Sequence, residues 1–154
     1  MDVDVQIATS TDGIPSVGDI QHWVETAVAA NVADPAAEVS VRVVDEEEMQ
    51  ILNRDYRDQD KPTNVLAFPA GDVQGLPPGA SKSLGDIVVC AVVVAREAGE
   101  QGKALDDHWS HMLVHGVLHL LGHDHTTESE TGEMEGLERE ILAGLGIADP
   151  YQGN

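Results

Sequence analysis

The stretch L-D-D-H-W-S-H-M-L-V-H-G-V-L-H-L-L-G-H-D-H, residues 105–125, sets the centre of this protein. Its apolar residues Met112, Leu113, Leu118, Leu120 and Leu121 leave little of a helix for water, so the segment is predicted to run as a helix from near Leu105 to Gly122 in the middle of the fold. Within it His115, His119 and His125 have the spacing H-x3-H-x5-H, with Gly122 seven residues after the first. Two histidines four apart lie about 40° from each other around a helix and one turn along it, so both imidazoles reach one ion. The third must return from beyond the helix end. Gly122 supplies the means, because glycine takes the left-handed conformation that ends a helix and turns the chain.

Three protein nitrogens leave a fourth position on zinc open, and an open position does chemistry, since the pKa of a water bound there falls to about 7. Six of the chain's seven histidines fall between His108 and His125, which favours ligation over chance clustering or satisfied core histidines. Zinc, one ion per chain, is the expected ion, although nickel or copper suits the same nitrogens. His108 and His111 share the stripe but are set aside, because three imidazoles complete a catalytic zinc's protein shell. The position after the first ligand is Gly116, where zinc peptidases with this spacing carry a glutamate as general base. The peptidase mechanism therefore does not transfer. Asp124, beside the third ligand, is read as holding a histidine ring in one tautomer, in preference to taking a proton.

Outward from this segment, 154 residues suit one domain with a real core, and 42% hydrophobic content with 3% aromatics makes that core aliphatic. No apolar run approaches the length that crosses a bilayer, and Asp2 and Asp4 stand where a secretory signal carries lysines. A soluble, cytoplasmic protein with no membrane partner is expected. The one cysteine, Cys90 in D-I-V-V-C-A-V-V-V, reads as buried packing. Twenty-eight acidic against eight basic residues give a formal charge of −20, which argues against a nucleic-acid partner, because Lys and Arg hold a phosphate backbone. Adaptation to a salty cytoplasm is one hypothesis for this balance, since repulsion is screened within about 3 Å at 1 M salt. Equal stability at low and molar KCl would remove it.

The chain opens with V-D-V-Q-I-A as a strand, followed by a helix around Ile20, Trp23, Val24 and Val28 and a strand from Val39 to Val44. The run E-E-E-M-Q-I-L-N-R-D-Y-R is a helix with an acidic start, an apolar stripe of Met49, Leu52 and Tyr56, and Pro62 as its stop. Strands are expected from Asn64 to Phe68 and Gly85 to Val89, joined by a mobile loop from Pro69 to Ser83, then a helix from Ala91 to about Gln101. The last helix, roughly Ser129 to Leu145, sets Met134, Leu137, Ile141, Leu142 and Leu145 on one face and its glutamates on a solvated face. This order predicts a single α+β domain over residues 1–154, a roughly four-stranded mixed sheet covered by helices, with the histidine helix buried at its centre.

Five segments carry a resemblance. They are L-N-R-D-Y-R at 52–57, K-P-T-N-V-L-A-F-P at 61–69, L-G-D-I-V-V-C at 84–90, H-W-S-H-M-L-V-H-G-V-L-H-L-L-G-H-D-H at 108–125 and M-E-G-L-E at 134–138. In this order they resemble the bacterial YbeY family of metal-dependent endoribonucleases, which mature ribosomal RNA. The resemblance implies that His115, His119 and His125 are zinc ligands and that Arg57 is the catalytic arginine facing the metal. It implies single-stranded RNA as substrate, a role at the 3′ end of 16S ribosomal RNA and in ribosome quality control, and the ribosome or ribosome-associated proteins as partners. His123 departs from the family's usual tyrosine, at a position that affects metal affinity or substrate stacking but not ligation.

Chemistry agrees about Arg57, because a phosphodiester transition state gathers charge on its non-bridging oxygens and a guanidinium offers paired planar donors. Without the resemblance, the plainer reading is a surface arginine paired with Asp58 or Asp60. The attacker, a hydroxide or the RNA's own 2′-OH, stays open. Asn64 and Asp86 line a substrate groove or serve as turn and cap residues, two readings of equal weight. With few aromatics to stack bases, weak binding to free RNA is expected. The rival readings are a zinc-containing ribosome-assembly factor without essential nuclease activity and a metal-dependent hydrolase of another bond.

Overall fold

Alternation of valines with polar residues builds the sheet. In β2 (Ala37–Val44) the side chains of Ala37, Val39, Val41 and Val43 are buried, while Glu38, Ser40 and Arg42 between them are half-exposed. That is the period-two pattern of a strand with one face on a core. The computed structural model describes residues 2–31, 37–70, 82–123 and 127–151. Before β2 come β1 (Asp2–Ala8) and α1 (Val17–Ala29); after it come α2 (Glu46–Arg57), β3 (Val65–Pro69), β4 (Lys82–Cys90), α3 (Ala91–Gln101), α4 (Leu105–Leu120) and α5 (Glu128–Gly144).

The four strands form one mixed sheet in the order β1-β2-β4-β3. β1, β2 and β4 run parallel, and β3 closes the edge antiparallel to β4, with Val65 opposite Val89 and Pro69 opposite Gly85. The α+β expectation of four strands and five helices is therefore met. One sheet face presents Val3, Val39, Val41, Val43, Ile87, Val89 and Ala67 to a core shared with α1, α4 and α5. The other face carries a smaller cluster of Val44, Leu66, Val88 and Cys90 under Met49 of α2. Cys90 is buried and unpaired, as its apolar run suggests.

A register shift between Glu38 and Val39 inserts Leu84 as a bulge ahead of Gly85, whose φ is 136°. A Cβ on Gly85 would lie 2.3 Å from the Phe68 carbonyl oxygen, so only glycine lets β3 and β4 meet at that point.

Three expectations need correction. α2 ends at Arg57, ahead of Pro62, because Asp58 adopts φ 56° and turns the chain. Tyr56, assigned to the buried stripe of α2, is 67% exposed, since only the turns holding Met49 and Asn53 reach the sheet. Glu138 of α5 is fully buried, not solvated, because it stands four residues after Met134 and three before Ile141 on the apolar stripe. Most of the loop expected to be mobile, residues 71–81, lies outside the described residues. No helix among the described residues is long and apolar enough to cross a membrane.

Candidate metal centre and cleft

α4 buries Trp109, Leu113, Val114, Val117 and Leu118 and brings its glycine, Gly116, against the sheet. A Cβ at 116 would stand 3.1 Å from Cγ2 of Ile87, so a peptidase-type glutamate there would need the Ile87 side chain to give by a few tenths of an ångström. Gly122 takes φ 95° and ends the helix as its position suggests. The Gly122 and His123 amides then donate to the carbonyls of His119 and Leu118, at 3.1 and 3.0 Å.

On the last turns of α4 the Nε2 atoms of His115 and His119 lie 3.1 Å apart. Two nitrogens bound to one tetrahedral zinc at about 2.0–2.1 Å stand roughly 3.3 Å from each other, so the pair is nearly set for a shared ion. The opposite ring nitrogen of His115, Nδ1, is 2.6 Å from Oε1 of Glu138. A carboxylate only accepts, so Nδ1 carries the proton and Nε2 presents its lone pair. Burial alone would raise the Glu138 carboxyl, but hydrogen bonds from His111, His115 and Tyr151 outweigh it and hold its pKa at about 2. The same acid receives His111 Nε2 at 2.9 Å and the Tyr151 hydroxyl, whose own pKa is raised by burial and by this contact.

His111 and His108 are both buried, and each gives its Nε2 to a carboxylate, Glu138 for His111 and Glu97 for His108 at 3.0 Å. Their Nδ1 atoms are buried without a partner among the described residues. Among those residues no three His, Cys, Asp or Glu side chains converge as a metal-binding group. His125, expected as the third ligand, and Asp124 lie outside them. The sequence did not reveal Glu138 as a ring-orienting acid, although its place on the apolar stripe of α5 carried the signal.

The two imidazoles form one wall of a cleft of about 800 Å³, and Arg57, Lys61, Asn64 and His123 line it as well. Buried Asn53 also lines it and pins the turn after α2: its carbonyl accepts the amide of Gln59 at 3.3 Å, and its Nδ2 donates to the Lys61 carbonyl at 2.8 Å. Arg57 thus sits at the end of α2 beside a pinned turn. It forms no ion pair with Asp58 or Asp60 among the described residues; Asp60 instead accepts from Gln50. The described lining of the cleft holds Arg57 and Lys61 and no Asp or Glu, a local reversal of the chain's −20 charge. Asn64 lines the cleft with its amide held by Glu97 at 3.0 Å, whereas Asp86 lines a different cavity, on the other sheet face.

A family model described as endoribonuclease YbeY matches residues 6–146. A protein of Halorhodospira halophila named endoribonuclease YbeY is 56% identical over 138 residues, spanning 90% of this chain and 88% of the relative. Proteins of the same name from Stenotrophomonas maltophilia and Xanthomonas campestris are each 53% identical over 154 residues, covering 99% of this chain and 94% of the relative. The solution structure of a Thermotoga maritima protein matches with a TM-score of 0.56 at 25% identity, covering 97% of this chain and 99% of the other.

Proposed function

We propose, from the premise that this chain belongs to the endoribonuclease YbeY family, that it is a metal-dependent endoribonuclease that cuts single-stranded RNA during ribosomal RNA maturation, at the 3′ end of 16S RNA, in contact with the ribosome or its associated proteins. The observation that carries this reading is the approach of His115 and His119 at 3.1 Å in a cleft whose charged lining, among the described residues, is Arg57 and Lys61. Neutral imidazoles of this kind fit zinc, and His115, His119 and His125 would hold one ion. When bound, that ion would supply Lewis acidity at a phosphate and lower the pKa of water.

The chain's own groups supply the rest. Glu138 keeps the proton of His115 on Nδ1, so the ring faces the cleft as a donor of electrons. Arg57, uncommitted to any carboxylate among the described residues, offers two parallel N–H groups to the non-bridging oxygens of the phosphodiester, where charge accumulates in the transition state. Lys61 adds a point charge for the backbone on the same rim. Gly116, packed tightly on the Ile87 side chain, speaks against a peptidase, since it stands where that mechanism carries its general base.

The test is cleavage of end-labelled single-stranded RNA by the zinc-loaded protein, beside a folded His115→Ala variant and a chelated sample. Cutting by the loaded protein that is lost in both controls is the expected result. Absence of cutting at low and at high salt would overturn the reading and put the assembly-factor function ahead.

A further inference from the structure

The chain has one phenylalanine and two tyrosines, and the phenylalanine and one tyrosine meet where the end of α2 lies over the edge strand β3. The rings of Tyr56 and Phe68 lie edge to face, their centroids 5.1 Å apart and their planes at 70°. Phe68 packs on the small core beneath α2, while Tyr56 is 67% exposed. An exposed ring supported from beneath by a second ring is a rigid apolar surface open to water.

These rings line a cavity of about 480 Å³ on the sheet face that α2 only partly covers, together with Gln6, Ser40, Arg42 and Asp86. The cavity lies on the other sheet face from the cleft, and the end of α2 and the edge strand β3 border both. Tyr56 precedes Arg57, and Phe68 stands between Ala67 and Pro69, and all three of these neighbours line the cleft. Its chemistry is nonetheless different. Among the described residues Arg42 is its one cation, and Glu48 takes that guanidinium through hydrogen bonds of 2.7 and 3.0 Å, with Gln6 accepting a third. No cation among the described lining residues is left for a phosphate there. The exposed carboxylate of Asp86 repels phosphate and accepts from amino groups, which adenine, cytosine and guanine carry on their edges and uracil does not.

We propose that Tyr56, backed by Phe68, is a stacking subsite for one unpaired, amino-bearing nucleobase of an RNA whose scissile phosphate lies at the His115–His119 pair, with Asp86 accepting from the amino group. This rests on the ribonuclease reading above. Two neighbouring pockets then divide the work: the cationic one holds backbone, and the aromatic, acidic one holds a base. Stacking of a base on an aromatic ring tolerates any sequence, and the carboxylate adds the preference.

The experiment uses the full zinc-loaded chain and a set of single-stranded RNA oligomers with one defined cut, each carrying a single abasic nucleotide or a single uracil near that cut. At one position the abasic substitution is expected to lower kcat/KM roughly tenfold, the effect of one stacked base, with uracil at that position intermediate. In Tyr56→Ala the abasic penalty at that position should vanish, and in Tyr56→Phe it should persist. Tyr56→Leu, which keeps apolar cover over Phe68 without a ring, is run beside them in case the alanine variant is poorly folded. A penalty undiminished in the folded Ala or Leu variant, or no penalty at any position, overturns the subsite alone. Failure of the wild-type chain to cut any of the oligomers overturns the subsite and the ribonuclease reading together.

Discussion

Glu138 of α5 and Glu97 of α3 both hold histidines of α4, yet Glu138 takes Nδ1 of His115 at 2.6 Å and Glu97 takes Nε2 of His108 at 3.0 Å. The choice of nitrogen separates a ring that faces the cleft from one that faces the protein interior. With Nδ1 tied, His115 turns Nε2 toward His119 and the cleft. With Nε2 tied, His108 turns its remaining nitrogen into the protein, where Nδ1 is buried without a partner among the described residues. Burial pushes the pKa of His108 down against the opposing pull of Glu97, so its ring favours the neutral form and donates from Nε2. Glu97 then does a second job, fixing the amide of Asn64 at the cleft. One pair turns the remaining ring edge to the cleft, and the other turns it into the fold.

The largest expected effect is that of Glu138→Ala, which strands His111 Nε2, His115 Nδ1 and the Tyr151 hydroxyl around a fully buried position. It should cost about 3–5 kcal/mol in a denaturant titration and weaken zinc binding ~10–100-fold. Unchanged zinc affinity in the folded variant would break the comparison at its strong end.

Acid unfolding of the chelated protein should sharpen it next. A carboxylate held at about 2, below its ordinary 4.5, contributes stability that is complete above 4.5 and lost as pH falls toward 2. For Glu138 this is on the order of 3 kcal/mol. His108, with its pKa depressed from 6.5, contributes an earlier loss that begins as pH drops below 6.5, because the unfolded ring takes a proton the folded one resists. Thermal midpoints measured across pH should fall in these two stages, and Glu138→Gln should remove the lower one.

Smaller again is Glu97→Ala. This acid is 27% exposed and serves neutral partners, so a loss of ~1–3 kcal/mol is expected with zinc affinity unchanged in calorimetry. A zinc defect as large as that of Glu138→Ala would erase the distinction between the two acids. Tyr151→Phe should have the least effect, about 1 kcal/mol of stability, because Glu138 keeps both histidines when that hydroxyl is removed.

The parts of this arrangement that were legible in the sequence are those set by local spacing. α2 spans the twelve residues of E-E-E-M-Q-I-L-N-R-D-Y-R, and α4 turns at Gly122, because acidic starts, apolar periods and a left-handed glycine act within a few residues. The four-residue step from His115 to His119 likewise set the pair. Glu138 was hidden because a glutamate on an amphipathic helix is ordinarily solvated, and only the approach of α4 and of Tyr151 supplies the donors that make its burial tolerable. Tyr56 fitted the apolar stripe of α2 but lies where that helix runs past its packing on the sheet. Neither the strand order β1-β2-β4-β3 nor the clearing of carboxylates from the described cleft lining could be read, since both depend on contacts between segments far apart in the chain.

The most direct test is a titration of zinc into the metal-free chain, with the rate of RNA cleavage followed at each addition. The account predicts a rate that rises and then levels at one zinc per chain, and no rise in folded His119→Ala. A rate independent of zinc, or an undiminished one in that variant, would contradict it.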